Sequence, residues 1–292
     1  MYKSVWKETS AVVNFPKTEA SQIMAVVIGQ PIKHSLSPLI HNTAFDIDNL
    51  NWTYHAIEVS KDKVQDCIKG VRENNIRGVS VTMPLKETVI PFLDQLSEAA
   101  SELQAVNCIY WDNKKLVGHN TDGEGFVNSL TAETGKGILG SSFAIIGAGG
   151  AARSIVRALK KASAGKITVI NRNDEKAILA ANLGGENANV GTPAEIPDCK
   201  YVINATSIGM VGTENEGMLP FSEKYLRSHQ TIVDLVYNPI ETPLLLEARR
   251  IGATAITGIG MLVHQAALQY QLWTGMNAPI EDIQRKVISE IR

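Results

Sequence analysis

The sequence predicts an α/β protein built from two domains. Three observations carry that prediction. The chain has 292 residues, close to two domains of about 150 each. Strand-like and helix-like segments alternate along most of it, the order that gives a mostly parallel sheet covered by helices. A glycine-rich turn at 147–152 sits in mid-chain between an apolar strand segment and a helical one.

Residues 1–22 are weakly patterned and are expected to form a leader that is loosely attached or lies over the surface. The apolar run 23–28, ended by Gly29, reads as a strand. Ser37-Pro38 supplies a helix N-cap followed by proline at the first helical position. Leu39, Ile40, Thr43, Ala44 and Ile47 continue at helical spacing. Residues 52–59 alternate as a strand, 64–71 return to helix, and 76–81 form a strand that stops at Met83-Pro84. A second block opens near Asp122, with a connecting helix over 123–130. Strand 143–146 leads through the glycine turn into a helix ending near Lys161. Strand 166–170, helix 176–183 and strands 201–204 and 231–236 follow as a run of βαβ units. Past Gly258 the pattern is all helix, over 261–272 and 280–291.

Composition excludes several classes. Apolar residues make up 44% and charged residues 20%, which fits a soluble globular protein and argues against disorder or a fibre. A net charge of −2 gives no electrostatic reason to expect nucleic acid as a partner. The longest apolar run, 143–152, falls short of the roughly 18 residues needed to span a bilayer. No secretion signal is visible, so no membrane partner is expected. Cys67, Cys108 and Cys199 are widely spaced and suggest neither zinc nor a disulfide framework. No metal is expected, and a reducing cytoplasm is the expected location. His34, His41, His55, His119 and His264 lack ligand spacing and are expected to be structural, with satisfied hydrogen bonds. No heptad or apolar patch chooses between monomer and homodimer.

Gly147-x-Gly149-x-x-Ala152 follows a strand and opens a helix, the context a dinucleotide-binding, Rossmann-type turn requires. The first glycine permits the tight turn, the second lets backbone approach a diphosphate, and the small third residue lets helix pack on strand. The helix N-terminus then offers free N–H groups and partial positive charge. The next strand ends in Asn171-Arg172-Asn173-Asp174-Glu175-Lys176. An acid there suits the ribose hydroxyl of NAD, and a base suits the 2′-phosphate of NADP. Arg172 and Lys176 could clamp a phosphate that Asp174 would repel.

The first domain carries small polar groups at the ends of its elements: Ser35, Ser37, Thr82 with Lys86, Asn107, and Asn120-Thr121-Asp122. Converging on a cleft, they would suit a small ligand rich in hydroxyls. Singly, each has an ordinary structural use, such as a cap, a turn or a solvated surface.

Together these segments resemble the shikimate dehydrogenase family. The resemblance lies in Pro31-Ile-Lys-His-Ser-Leu-Ser-Pro38, Val81-Thr-Met-Pro-Leu-Lys86, Ala105-Val-Asn107, Asn120-Thr-Asp-Gly123 and Gly147-Ala-Gly-Gly-Ala-Ala152. It continues in Asn204-Ala-Thr-Ser-Ile-Gly-Met210, Val236-Tyr-Asn-Pro239 and Gly258-Ile-Gly-Met-Leu-Val-His-Gln265, in the family's order. It implies reversible oxidation of shikimate to 3-dehydroshikimate with a nicotinamide cofactor. Lys86 and Asp122 would form the catalytic pair at the substrate hydroxyl. Ser35 and Ser37 would hold the carboxylate, and Thr82, Asn107, Tyr237 and Gln265 the hydroxyls. Gly147, Ala148, Gly149, Gly150, Ala151, Asn171, Arg172, Asp174, Lys176, Leu235 and Gly258 would line the cofactor, with Glu98 a further candidate. A lysine acts as a base where desolvation or a nearby cation lowers its pKa, and a carboxylate opposes this. Lys86 would therefore either take the hydroxyl proton or hold the developing alkoxide while Asp122 relays it.

Some positions depart from the family's commonest pattern. Met83 and Leu85 replace other apolar or aromatic residues, with little effect expected. Ser80 stands where Asn is frequent, so one polar contact should differ. Asn173 stands where NADP-using members usually have Thr, Glu175-Lys176-Ala177 resembles those members, and Asp174 resembles the NAD-using quinate/shikimate branch. The two basic groups favour NADP. The expected fold is an α/β substrate domain at 23–121, completed by C-terminal helices at 258–292, and a Rossmann-type dinucleotide domain at 122–257. The alternatives are a quinate/shikimate dehydrogenase preferring NAD and a non-catalytic dinucleotide-binding module.

Overall fold

Apolar runs buried on both faces seed two separate sheets. The computed structural model describes Val13, Phe15, Pro16 and residues 21–74 and 76–291. The first run is β1 (Ile23–Gly29). Its Ala25 and Val27 enter one apolar core, while Met24, Val26 and Ile28 enter another on the opposite face. A continuous apolar strand is what a central position covered on both sides demands.

Then follow α1 (Ser37–Ile47), β2 (Trp52–Glu58), α2 (Val64–Glu73), β3 (Gly78–Val81), β4 (Gln95–Leu96), α3 (Glu98–Leu103), β5 (Cys108–Asp112) and β6 (Lys115–His119). The first sheet has the order β2-β1-β3-β5-β6-β4. β1 is parallel to β2 and β3, but β5 runs antiparallel to β3 and β6. The sheet is therefore mixed rather than mostly parallel. Its β5–β6 hairpin closes through Asn113, a residue type that tolerates the left-handed φ of 54° found there.

α4 (Asp122–Thr134) leads into the second sheet. Its elements are β7 (Phe143–Ile146), α5 (Gly150–Lys161), β8 (Ile167–Ile170), α6 (Asp174–Asn182), β9 (Ala188–Val190), β10 (Tyr201–Asn204), β11 (Thr231–Asp234), α7 (Pro243–Arg250) and β12 (Thr254–Ile256). All neighbouring strands are parallel, in the order β12-β11-β10-β7-β8-β9. This is the doubly wound order of a Rossmann-type sheet, with its switch point between β7 and β10. α8 (Ile259–Thr274) and α9 (Ile280–Ile291) return to the first sheet. Val263, Ala266, Tyr270, Ile283 and Val287 there pack with Ala25, Val27 and Phe45.

Several local expectations change. Ser37 opens α1 rather than capping it; the cap position is Leu36, which makes no side-chain bond to the helix. The strand expected from residue 76 begins at Gly78. α6 starts earlier than expected because Asn173 caps it, accepting the Lys176 N–H at 2.8 Å. The leader falls mostly outside the described residues; within them, Val13 and Phe15 pack against the core that includes α2. Among the described residues, no helix is long and apolar enough to cross a membrane.

α4 lies tightly against α8. A Cβ added at Gly125 would stand 2.6 Å from the Gln265 backbone nitrogen and 2.7 Å from its Cα. Gly125→Ala should therefore lower the unfolding free energy by about 1–3 kcal/mol, the usual cost of overpacking. Urea denaturation measures this, and a variant as stable as the parent would show that the two helices can separate freely.

Candidate active site

Three chain segments are stitched together by backbone hydrogen bonds at one end of the first sheet. Val81 N–H donates to Asn107 O (2.8 Å), Val106 N–H to Lys86 O (2.8 Å), and Asn107 N–H to His119 O (3.0 Å). The sheet order places the ends of β3 and β6 on either side of the start of β5. Lys86 and Asp122, far apart in sequence, meet there: Lys86 Nζ donates to Asp122 Oδ2 at 2.6 Å. Asn107 Nδ2 donates to Asp122 Oδ1 at 2.7 Å and to Thr121 Oγ1 at 3.0 Å. The Asp122 N–H is bound by Asn120 Oδ1. Asp122 is also the first residue of α4, where the helix dipole favours a carboxylate.

This pair faces a cleft of about 240 Å³. The cleft gathers Ser35, Ser37, Thr82, Lys86, Asn107, Asp122, Tyr237 and Gln265 from six separate parts of the chain. Ala151, Leu235 and Gly258 line its side toward the second sheet. Ser35 Oγ accepts the Ser37 N–H, holding the two hydroxyl residues together. Burial raises the pKa of Tyr237, so its phenol remains a hydrogen-bond donor.

Gly147, Ala148, Gly149, Gly150, Asn171, Arg172, Asp174 and Lys176 lie outside that cleft, at the carboxyl edge of the second sheet. Gly147 has φ of 110° and faces the loop after β10, with Ala205 O 3.0 Å from where a Cβ would be. A side chain is excluded there by both conformation and space. At Gly149 and Gly150 an added Cβ would meet no atom within 4 Å, and no side chain caps α5. An open glycine cradle at an uncapped helix N-terminus, beside the switch point, fits the diphosphate of a dinucleotide. Arg172 and Lys176 are exposed, and neither makes an ion pair among the described residues. Asp174 sits in the first turn of α6.

Glu98 is displaced from this constellation. It pairs with Lys161 Nζ at 2.6 Å and lies 3.7 Å from Arg157. Lys161 ends α5, about 16 Å from Gly150 at 1.5 Å per residue, so Glu98 sits at the wrong end of the helix for a cofactor contact. The histidine expectation also needs one correction. His55 bonds Thr53 and His119 bonds Ser97, but both ring nitrogens of His41 are buried without a partner among the described residues. Burial lowers its pKa to about 3, so the ring is neutral, stacked on Tyr54 at 4.4 Å.

Sequence reasoning passed over two buried groups. Gln269 lies one helical turn beyond Gln265, a spacing that could have revealed it. Asp234, at the end of β11, accepts from Thr242 Oγ1 (2.6 Å), Asn204 Nδ2 (2.9 Å) and Val236 N–H (3.1 Å). Its partners are the end of β10 and the connection that follows β11, and its burial, which sets its role, is decided by tertiary packing.

The fold and cleft together define a two-lobed α/β protein that joins a Rossmann-type sheet to a polar, hydroxyl-lined pocket. Residues 27–109 match the family model of the shikimate dehydrogenase substrate binding domain, 130–239 that of shikimate/quinate 5-dehydrogenase, and 258–288 that of the shikimate 5'-dehydrogenase C-terminal domain. The chain is 40% identical to a shikimate dehydrogenase (NADP(+)) of Bacillus subtilis, over 91% of this chain and 96% of the relative. A crystal structure of a shikimate dehydrogenase with NADP+ superposes with a TM-score of 0.89 at 34% identity, covering 94% of this chain and 98% of the other. One from Listeria monocytogenes, with shikimate and NAD, has a TM-score of 0.86 at 31% identity and covers 94% and 99%. The chain belongs to the shikimate dehydrogenase family.

Burial raises the Asp234 carboxyl from 3.8 to about 6. The folded chain thus holds a proton that the unfolded chain releases, and stability falls as pH rises from about 4 to about 6. At 1.36 kcal/mol per unit the full penalty, present above about pH 6, is about 3 kcal/mol. Asp234→Asn should remove that slope. Unfolding free energy followed from pH 4 to pH 7 checks it, and parallel curves for variant and parent would refute it.

Proposed function

We propose that the protein is an NADP-dependent shikimate dehydrogenase, which reversibly oxidises shikimate to 3-dehydroshikimate. The observation that carries this reading is the Lys86–Asp122 pair at 2.6 Å, facing a cleft lined by Ser35, Ser37, Thr82, Asn107, Tyr237 and Gln265. Family membership supports it, as do relatives whose names give shikimate and NADP.

The chemistry follows from the donors. Both carboxylate oxygens of Asp122 are engaged, one by Lys86 and one by Asn107. Lys86 has three N–H groups and gives one to Asp122, so the others are free to hold the reacting hydroxyl. When bound, a nicotinamide supplies the acceptor for hydride from the alcohol carbon. The hydroxyl proton passes to the Lys86–Asp122 pair as the carbonyl forms, and in the reverse direction the pair returns it. Ser35 and Ser37 hold the substrate carboxylate, and Thr82, Asn107, Tyr237 and Gln265 its remaining oxygens.

On this reading, residues 23–121 and 258–292 form the substrate unit and 122–257 the dinucleotide unit. Gly147–Ala151 and the N-terminus of α5 would hold the diphosphate, with Leu235 and Gly258 near the nicotinamide. Arg172 and Lys176 would hold the 2′-phosphate; their exposure, and the lack of an ion pair to either among the described residues, favour NADP. Asn171 and Asn173 shape that loop through the bond from Asn171 Nδ2 to Asn173 O. The reading includes a cytoplasmic enzyme, in which the buried Cys67, Cys108 and Cys199 thiols remain free.

Initial rates with shikimate and with quinate, each with NADP and NAD, test the proposal. Reduction of NADP by shikimate at tenfold better efficiency than any other pair is expected. Preference for NAD with quinate turnover would favour the quinate/shikimate branch, and no reduction at any pH would favour a binding module. Lys86→Ala should lower kcat by about 10²–10⁴ with the circular dichroism spectrum unchanged. Near-normal turnover would remove Lys86 from its role. Arg172→Ala combined with Lys176→Ala should raise KM for NADP about tenfold or more, and leave KM for NAD within about twofold. Equal effects on both cofactors would remove the 2′-phosphate assignment.

A further inference from the structure

A buried chain of hydrogen bonds runs behind the cleft, and its direction can be worked out. Tyr54 O–H donates to Ser80 Oγ at 2.5 Å, and Ser80 O–H donates to Gln269 Oε1. Gln269 Nε2 donates to Gln265 Oε1 at 2.9 Å and to Asn107 O at 3.3 Å. Tyr54, Ser80 and Gln269 are 2%, 6% and 1% exposed, so water cannot replace a lost partner.

An amide can be turned over by exchanging its oxygen and nitrogen, and only its neighbours decide the direction. Here the deciding neighbour is Asn107 O. A backbone carbonyl only accepts, and this one belongs to the segment stitched to β3 through Val81. It therefore requires the NH2 end of Gln269 on its side. The carbonyl of Gln269 must then face Ser80, which donates to it and in turn receives from Tyr54. The opposite arrangement would set the Gln269 and Asn107 carbonyl oxygens together and leave one hydroxyl proton of the Tyr54–Ser80 pair without an acceptor in this chain.

The same logic passes to Gln265. Its carbonyl receives the second N–H of Gln269, and one of its own N–H groups donates to Leu262 O at 2.8 Å. The remaining N–H of Gln265 is left for the cleft, which Gln265 lines. We infer that Gln269, held by Ser80 and Tyr54, is a positioning residue that locks Gln265 with its amide donor, not its acceptor, toward the substrate. The cleft thus selects a substrate oxygen that can accept at this point. Ser80, in place of the larger Asn common in the family, is the link that ties Tyr54 to Gln269.

This inference rests on the shikimate dehydrogenase reading, and one set of assays separates the two. Gln269→Met keeps the volume but removes donor and acceptor. It should raise KM for shikimate about tenfold, with kcat within about threefold and KM for NADP within about twofold of the parent. Gln265→Ala should show a similar rise, and the double variant should be no worse than Gln265→Ala alone, since Gln269 acts through Gln265. Gln269→Glu gives a second readout. Its carboxylate can accept from Ser80 but cannot donate, so KM for shikimate should be raised at pH 8. It should move back toward the parent value as the pH falls and the carboxyl regains a proton. A parent enzyme that oxidises shikimate, with Gln269→Met showing an unchanged KM or with the two single effects multiplying in the double variant, overturns the positioning role alone. A parent chain without turnover of shikimate overturns the functional reading and the inference with it. A Gln269→Met chain that does not fold leaves the pH response of Gln269→Glu to decide, and a pH-independent KM ratio to the parent overturns the role.

Discussion

The ion pair between Lys86 and Asp122 is the constraint around which the structure is organised. Neither partner is free to move alone: the Lys86 backbone is tied to Val106, and Asp122 is gripped by Asn107 and by the start of α4. An Asp122 that is only 7% exposed needs such partners, because a buried carboxylate without them is costly. The grip has a further consequence. Asn107, by satisfying Asp122 with its side chain and Gln269 with its backbone, links the pair to the hydrogen-bond chain on α8.

That arrangement explains why the first sheet is mixed. A fully parallel sheet would send the chain away from the cleft after β3. The β5–β6 hairpin instead brings it back, so that the ends of β3 and β6 flank the start of β5. The second sheet has a different task and a different topology. Its parallel order opens a crevice at the switch point, where Gly147 and the uncapped start of α5 lie. α4 and α8 join the two, and α5 adds a second tie: Arg153, Arg157 and Lys161, at four-residue intervals on one face, pair with Glu87, Glu98 and Glu102 of the first lobe. The helix whose N-terminus faces the glycine cradle is therefore anchored to the other lobe along its length.

Much of the fold was legible in the sequence, and the gaps have a common cause. The longer elements, such as β1, α5 and α8, carry enough periodic positions to be read within one window. β4, α3, β9 and β12 are too short for that, and the β5–β6 hairpin is defined by pairing rather than by period. Ser37 shows the limit of local rules. It has the right chemistry and a following proline, yet its side chain caps nothing because the chain enters α1 already turned. Among site residues, those in recognisable short blocks were named from sequence and lie in the cleft or at the glycine turn. Gln269 was passed over because Ser80 and Asn107, which fix it, lie far along the chain, and Asp234 because only tertiary packing buries it. Glu98 was misplaced because nothing local says which end of α5 it meets.

By itself the sequence determined the two-lobed α/β plan, the glycine turn and the types of chemical group available for the reaction. These depend on residue period, backbone freedom and side-chain identity, all of which act over a few neighbours. The tertiary structure alone decided which way the amides of Gln265 and Gln269 point, which acid meets which base, and why His41 stays neutral. Those outcomes depend on burial and on partners far along the chain, and a buried hydrogen-bond network has a direction only once every donor and acceptor in it is in place.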